Sequence, residues 1–116
     1  MPLIDSPRHA SFPSAHSLES HMIALALTDV RGRQSARVLN ALADRIARNR
    51  EVAGVHYPSD SFAGKQIAQK AFLLLQACPI YRTVLQLAQQ EPGGVGQMQP
   101  PPECAPPPAV ASGGTV

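Results

Sequence analysis

Apolar and polar positions recur with a helical period through most of the first 90 residues. Leu18, Met22 and Leu25 keep that spacing, and Ile23, Ala26, Leu27 and Val30 beside them predict a largely apolar helix from Ser14 to about Val30. Ser14 or Ser17 can cap its start by accepting a backbone N–H, and Gly32 marks its end. A second helix is predicted from about Gln34 to Glu51. Val38, Leu39, Leu42 and Ile46, extended by Ala53, lie on one side, and Arg37, Asp44, Arg45 and Arg48 on the other, so it packs through a single face. Gly54 and Pro58 break the chain. Asp60 or Ser61 can then cap a third helix running to about Ala77, with Phe62, Ala63, Ile67, Ala71, Phe72, Leu74 and Leu75 as its apolar positions. Pro79 permits a last helix over Ile80 to Gln90, since proline is tolerated at a helix start. No period-2 run is long enough for a strand. The fold class is therefore all-α, a partial helical bundle of three to four helices over residues 14–90.

The flanks follow a different pattern. Residues 1–13 contain Pro2, Pro7 and Pro13 and read as an extended lead-in. Residues 91–116 hold seven of the 12 prolines and five of the eight glycines with no hydrophobic period, and read as a disordered tail. The body between is small for an independent core, and its first and third helices are apolar on too many sides to be covered by one amphipathic neighbour. Both features suit part of a larger bundle.

Charge excludes more than it suggests. Residues 1–90 carry ten Lys and Arg against six Asp and Glu, a formal charge of +4, with Arg31, Arg33, Arg37, Arg45, Arg48 and Arg50 in one segment. There is no Lys/Arg-rich run and almost no aromatic interleaving, so these arginines read as a solvated helix face rather than a nucleic-acid surface. The longest apolar run, Ala71 to Ala77 interrupted by Gln76, falls far short of the roughly 20 residues that cross a bilayer. Cys78 and Cys104 share no metal-ligand or CxxC spacing and define no redox compartment. His16, His56 and Asp60 form no HxxxH or HExxH pair, so no metal site is read. His9 reads as incidental and His21 as a solvent or core histidine.

Chemistry concentrates in two stretches. Arg50-Glu51-Val52-Ala53-Gly54-Val55-His56-Tyr57-Pro58-Ser59-Asp60 puts an arginine, an imidazole and a carboxylate around a turn between helices. Ser11-Phe12-Pro13-Ser14-Ala15-His16-Ser17 places small residues and a histidine at a helix start, where free N–H groups and the dipole favour an anion. Pro13-Ser14-Ala15-His16, then Arg50, five residues, His56, three residues and Asp60, resembles the second and third motifs of the type 2 phosphatidic acid phosphatase superfamily. That superfamily includes the bacterial class A nonspecific acid phosphatases and the vanadium-dependent haloperoxidases. Its patterns are Pro-Ser-Gly-His and Ser-Arg, five residues, His, three residues, Asp. The resemblance covers roughly residues 10 to 70, and Gly54 to Asp60 followed by Ala63-Gly64 is close to soluble bacterial members.

The resemblance implies a set of roles. His56 is the nucleophile that forms a phosphohistidine, Asp60 orients its ring, and His16 acts as general acid and base. Arg50 binds the phosphoryl oxygens through its planar fork, with Ser14 and the Ala15 amide completing the cradle. The expected ligand is a small phosphorylated substrate or inorganic phosphate, without cofactor, nucleic acid or transmembrane segment, and a homo-oligomer is compatible with the sequence. Ala15 stands where the family has glycine and Asn49 where it has serine. The family's first motif, a lysine, six residues and then Arg-Pro, has no counterpart before Pro13, since the first lysine is Lys65. The chain therefore reads as the C-terminal portion of a larger family member, lacking two phosphate-binding cations. Localisation stays open: periplasmic or secreted if a preceding segment carries a signal, otherwise cytoplasmic. Three functions fit, namely a phosphoric monoester hydrolase, a haloperoxidase in which His56 coordinates vanadate, and a non-catalytic remnant or interaction fragment.

Overall fold

The computed structural model describes residues 10–91, so the lead-in up to residue 9 and the tail from residue 92 lie outside the described residues. The described part is all-α. Its four α-helices are α1 (Ala15–Arg31), α2 (Ala36–Val52), α3 (Pro58–Ala77) and α4 (Pro79–Gln90), and no strand occurs among the described residues.

Ser14 caps α1, its Oγ accepting the Ser17 N–H at 3.2 Å. The helix ends at Gly32, whose φ of 94° a side chain would resist and whose N–H closes on Thr28 O at 2.8 Å. The second helix starts later than its apolar period predicts. Arg33–Ser35 form a 3-10 turn first, with Ser35 N–H on Gly32 O, and the α-helical ladder begins at Ala36.

At α3 the expected cap is corrected. Neither Asp60 nor Ser61 is the N-cap: Tyr57 holds that position in an extended conformation, and Pro58 opens the helix where its missing N–H costs nothing. Asp60 sits in the first turn, and its carboxylate reaches back to the Tyr57 N–H at 2.9 Å. Pro79 likewise opens α4, one residue before the predicted start and at a bend of 90° from α3.

The core differs from the one the large aliphatic residues mark out. Its apolar members are Ala24, Ala43, Ala47, Ala68 and Phe72, joined by buried Ser14, Ser17, Ser20 and His21. Val38, Leu42 and Ile46, expected to form the packing face of α2, remain exposed, as do Ile23 and Leu27 of α1 and Phe62, Ile67, Leu73 and Leu74 of α3. Small residues explain the difference. Where two helices carry Ala or Gly at the crossing, the backbones approach closely, and longer side chains are displaced to the edges of the seam. One such contact is at Gly64 of α3: a Cβ placed there would lie 2.5 Å from Ser14 O, 2.9 Å from Ser17 Cβ and 3.0 Å from Leu18 N.

Polar ties fix the remaining helices on α1. The buried His21 ring faces Ser17 O at 2.6 Å through Nδ1 and Asp44 Oδ1 of α2 at 2.9 Å through Nε2. Lys65 of α3 meets the same Asp44 oxygen at 2.8 Å. Asp29 performs this service for α4. Its carboxylate accepts the Tyr81 hydroxyl at 2.9 Å and the Gln76 amide at 3.2 Å, while its carbonyl accepts Gln89 Nε2 at 2.9 Å. Burial and the Asp29 carboxylate together push the Tyr81 phenol up to about 12. Tyr81 also stands edge-on to Phe72, centroids 5.8 Å apart, a contact worth about 0.5–1.5 kcal/mol beyond area burial. Among the described residues no single helix is long and apolar enough to cross a membrane.

Candidate functional site

The two stretches singled out in the sequence meet at the start of α3. Following Val52, Ala53 N–H closes on Asn49 O, Gly54 N–H on Glu51 O at 2.9 Å and Val55 N–H on Arg50 O at 3.2 Å. Gly54 has a φ of 80°, which lets the chain reverse within one residue. The reversal tucks His56 into the interior beside the first turn of α3. Its Nδ1 faces Asp60 Oδ2 at 3.4 Å, and both side chains are buried.

That oxygen is the one that accepts the Tyr57 N–H, so a single carboxylate oxygen meets both the first turn of α3 and the imidazole. In the tautomer that carries its proton on Nδ1 and donates to Asp60, the lone pair lies on Nε2, which makes no hydrogen bond to the described residues.

Backbone contacts bring the Ser14 stretch to this pair. Ser14 N–H donates to Asp60 O at 3.0 Å, and the Ser17 hydroxyl donates to Ser61 O at 2.6 Å. Gly64 permits this approach, since a side chain there would push the start of α1 off α3. Ser14 is thereby buried next to Asp60, whereas Ala15 and His16 remain exposed on the first turn of α1.

The predicted residues do not all share one cavity. A cavity of about 470 Å³ beside the turn is lined by His56, Arg48, Glu51, Ser11 and Tyr57 among others. His16 lines a different one, a groove of about 310 Å³ between α1 and α2 whose walls include Ile23, Leu27, Leu39 and Ile46. Arg50 lines neither. It is half-buried, and its Nε has no hydrogen-bond partner among the described residues.

Two groups at the cavity escape the motif-based reading. Arg48 Nη1 contacts Glu51 Oε2 at 2.6 Å. The Glu51 carboxyl is held below its usual range by the neighbouring Ser61 hydroxyl and then by Arg48. Ser61 Oγ is buried without a hydrogen bond of standard geometry, which leaves the Arg48 ion pair as the firm contact. The signal available in the sequence was the Arg48–Glu51 spacing of three, which puts them on one helical face.

Comparison with known proteins adds a distant relationship. Over 84 residues the chain is 27% identical to a non-specific acid phosphatase of Salmonella typhimurium and 29% identical to one of Salmonella typhi. Each match takes in 72% of this chain and 33% of the relative, so the chain spans about a third of the length of the curated relatives it matches. No family model matches, and no solved structure does.

Proposed function

We propose that this chain carries the nucleophilic part of a phosphoric monoester hydrolase that works through a phosphohistidine at His56. The observation that carries the reading is the buried His56–Asp60 pair at the edge of a cavity, with Nδ1 engaged and Nε2 unengaged. The similarity to non-specific acid phosphatases supports the choice of phosphate esters as substrates.

In the first step the Nε2 lone pair forms an N–P bond as the bond from phosphorus to the ester oxygen breaks. The departing oxygen keeps that electron pair and takes a proton from His16. In the second step water attacks phosphorus, His16 accepts its proton, and the N–P bond breaks to return neutral His56 and free phosphate. Asp60 holds the tautomer and stabilises the ring as it becomes cationic. Arg50 and the Ala15 amide stabilise the equatorial oxygens, where charge accumulates. The Ser14 N–H is already donated to Asp60 O, and Arg50, which does not line the His56 cavity, must turn toward it when substrate is bound. Because His16 lines the neighbouring groove, its role asks the imidazole to swing around the first turn of α1 when substrate is bound.

The test is hydrolysis of an aryl phosphate by the full chain. His56→Ala is expected to abolish turnover, and His16→Ala to lower kcat by about 10²–10⁴-fold. Wild-type turnover by His56→Ala overturns the proposal.

A further inference from the structure

We propose that Arg48 is a phosphate-gripping residue of the His56 cavity, held in position by Glu51; this rests on the phosphatase reading above. Arg48 and His56 line the same cavity, whereas Arg50 does not. Helical geometry gives the reason: residues two apart on α2 are turned by about 200°, so Arg48 and Arg50 leave the helix in nearly opposite directions. An arginine two positions from the motif position is therefore the cation that faces the imidazole's cavity.

An exposed ion pair three residues apart on a helix is ordinarily a solvated contact of little consequence. Here the pair is asymmetric. The Glu51 side chain is 12% exposed, while the Arg48 side chain is 69% exposed. The carboxylate is the anchor and the guanidinium is the part presented to the cavity. Glu51 engages Nη1, and the remaining N–H donors of the five-donor fork stay available for the oxygens of a phosphoryl group. A guanidinium steadied from behind loses less freedom on gripping an anion than one that roams in solvent.

The two possible roles of Glu51 predict opposite signs. If Glu51 acts only through its charge, Glu51→Gln makes the cavity more positive and tightens anion binding. If it positions Arg48, Glu51→Gln releases the guanidinium and weakens binding.

The experiment is a titration of the full chain with inorganic phosphate, followed through the His56 ring nitrogens by NMR. Arg48→Gln is expected to weaken binding about tenfold or more. Arg48→Lys, which keeps the charge and loses the fork, is expected to fall between that variant and wild type. Glu51→Gln is expected to weaken binding as well. Wild-type affinity in Arg48→Gln overturns the assignment of Arg48, and tighter binding in Glu51→Gln overturns the positioning role.

Aryl phosphate turnover of His56→Ala, measured alongside, separates this proposal from the reading on which it rests. Turnover that depends on His56, with phosphate binding indifferent to Arg48, removes only Arg48. Weakened phosphate binding in Arg48→Gln, with turnover indifferent to His56, removes the phosphohistidine and leaves Arg48 as the anion-binding residue. Absence of any phosphate-dependent shift in the wild type removes Arg48.

Discussion

Replacing Gly64 by alanine sets two effects of known size against each other. Alanine in a helix interior is favoured over glycine by about 1 kcal/mol. The new methyl, however, would stand 2.5 Å from Ser14 O and 3.0 Å from Leu18 N, both backbone atoms that move only with the whole of α1. Overpacking of this kind costs about 1–3 kcal/mol, at the upper end when the obstacle is main chain. A net loss of stability is expected, read as a lower urea midpoint for Gly64→Ala, whereas a raised midpoint would mean that α1 and α3 can part at no cost. Individual roles were unevenly legible in the sequence. Ser14, one of two candidate caps, follows from local spacing, whereas Asp60 as partner of His56 was implied by the family resemblance; both contacts are made within four residues. The Arg48–Glu51 clasp was not legible as part of a cavity: its spacing is local, but the cavity is formed by the turn that follows.

At the level of elements, the junction of α1, α2 and α3 is a chain of polar groups, His21, Asp44 and Lys65. The hydrogen bond from Lys65 is the largest influence on the Asp44 carboxyl and burial opposes it; with the smaller contribution of His21 added, the carboxyl is held below its ordinary value of 3.8. A carboxyl whose value is depressed by folding contributes stability that is complete above the unfolded value and is lost as pH falls through the folded one. Denaturation midpoints of Asp44→Asn should therefore decline less steeply than those of the wild type below pH 3.8, with the two profiles parallel at neutral pH. The difference should be small, since the Asp44 side chain is 55% exposed and solvent screens the pair. An unchanged acid slope would show that the junction holds without this charge. Existence and type of the first three helices were legible in the apolar period, and the fourth was expected from Pro79 as a helix start. Their packing faces were not. The period weighs Val38, Leu42 and Ile46 above Ala43 and Ala47, yet closeness of approach is decided by the smallest residues.

Taken as a whole molecule, the described residues are arranged around α1, which packs on α2, α3 and α4, while α2 and α3 meet over a shorter stretch. The exposed aliphatic side chains of α1 and α3 agree with helices too apolar to be covered by a single neighbour. Few contacts survive the loss of α1, so its release should coincide with global unfolding rather than precede it. The hydrogen bond from Ser14 N–H to Asp60 O gives that arrangement a clock. This amide belongs to Ser14 of the Pro13–His16 stretch and donates to Asp60, the last residue of the Arg50–Asp60 stretch, so its proton is traded for deuterium while the two are apart. Its exchange, followed by NMR, should be as slow as that of amides in the middle of α1, and exchange on the timescale of a frayed helix end would mean that the motifs separate in the folded chain. Since the shield is a main-chain carbonyl, the same clock runs in any variant that alters the His56 or Asp60 side chain without moving the backbone. It distinguishes a variant that has lost its chemistry from one that has lost its assembly.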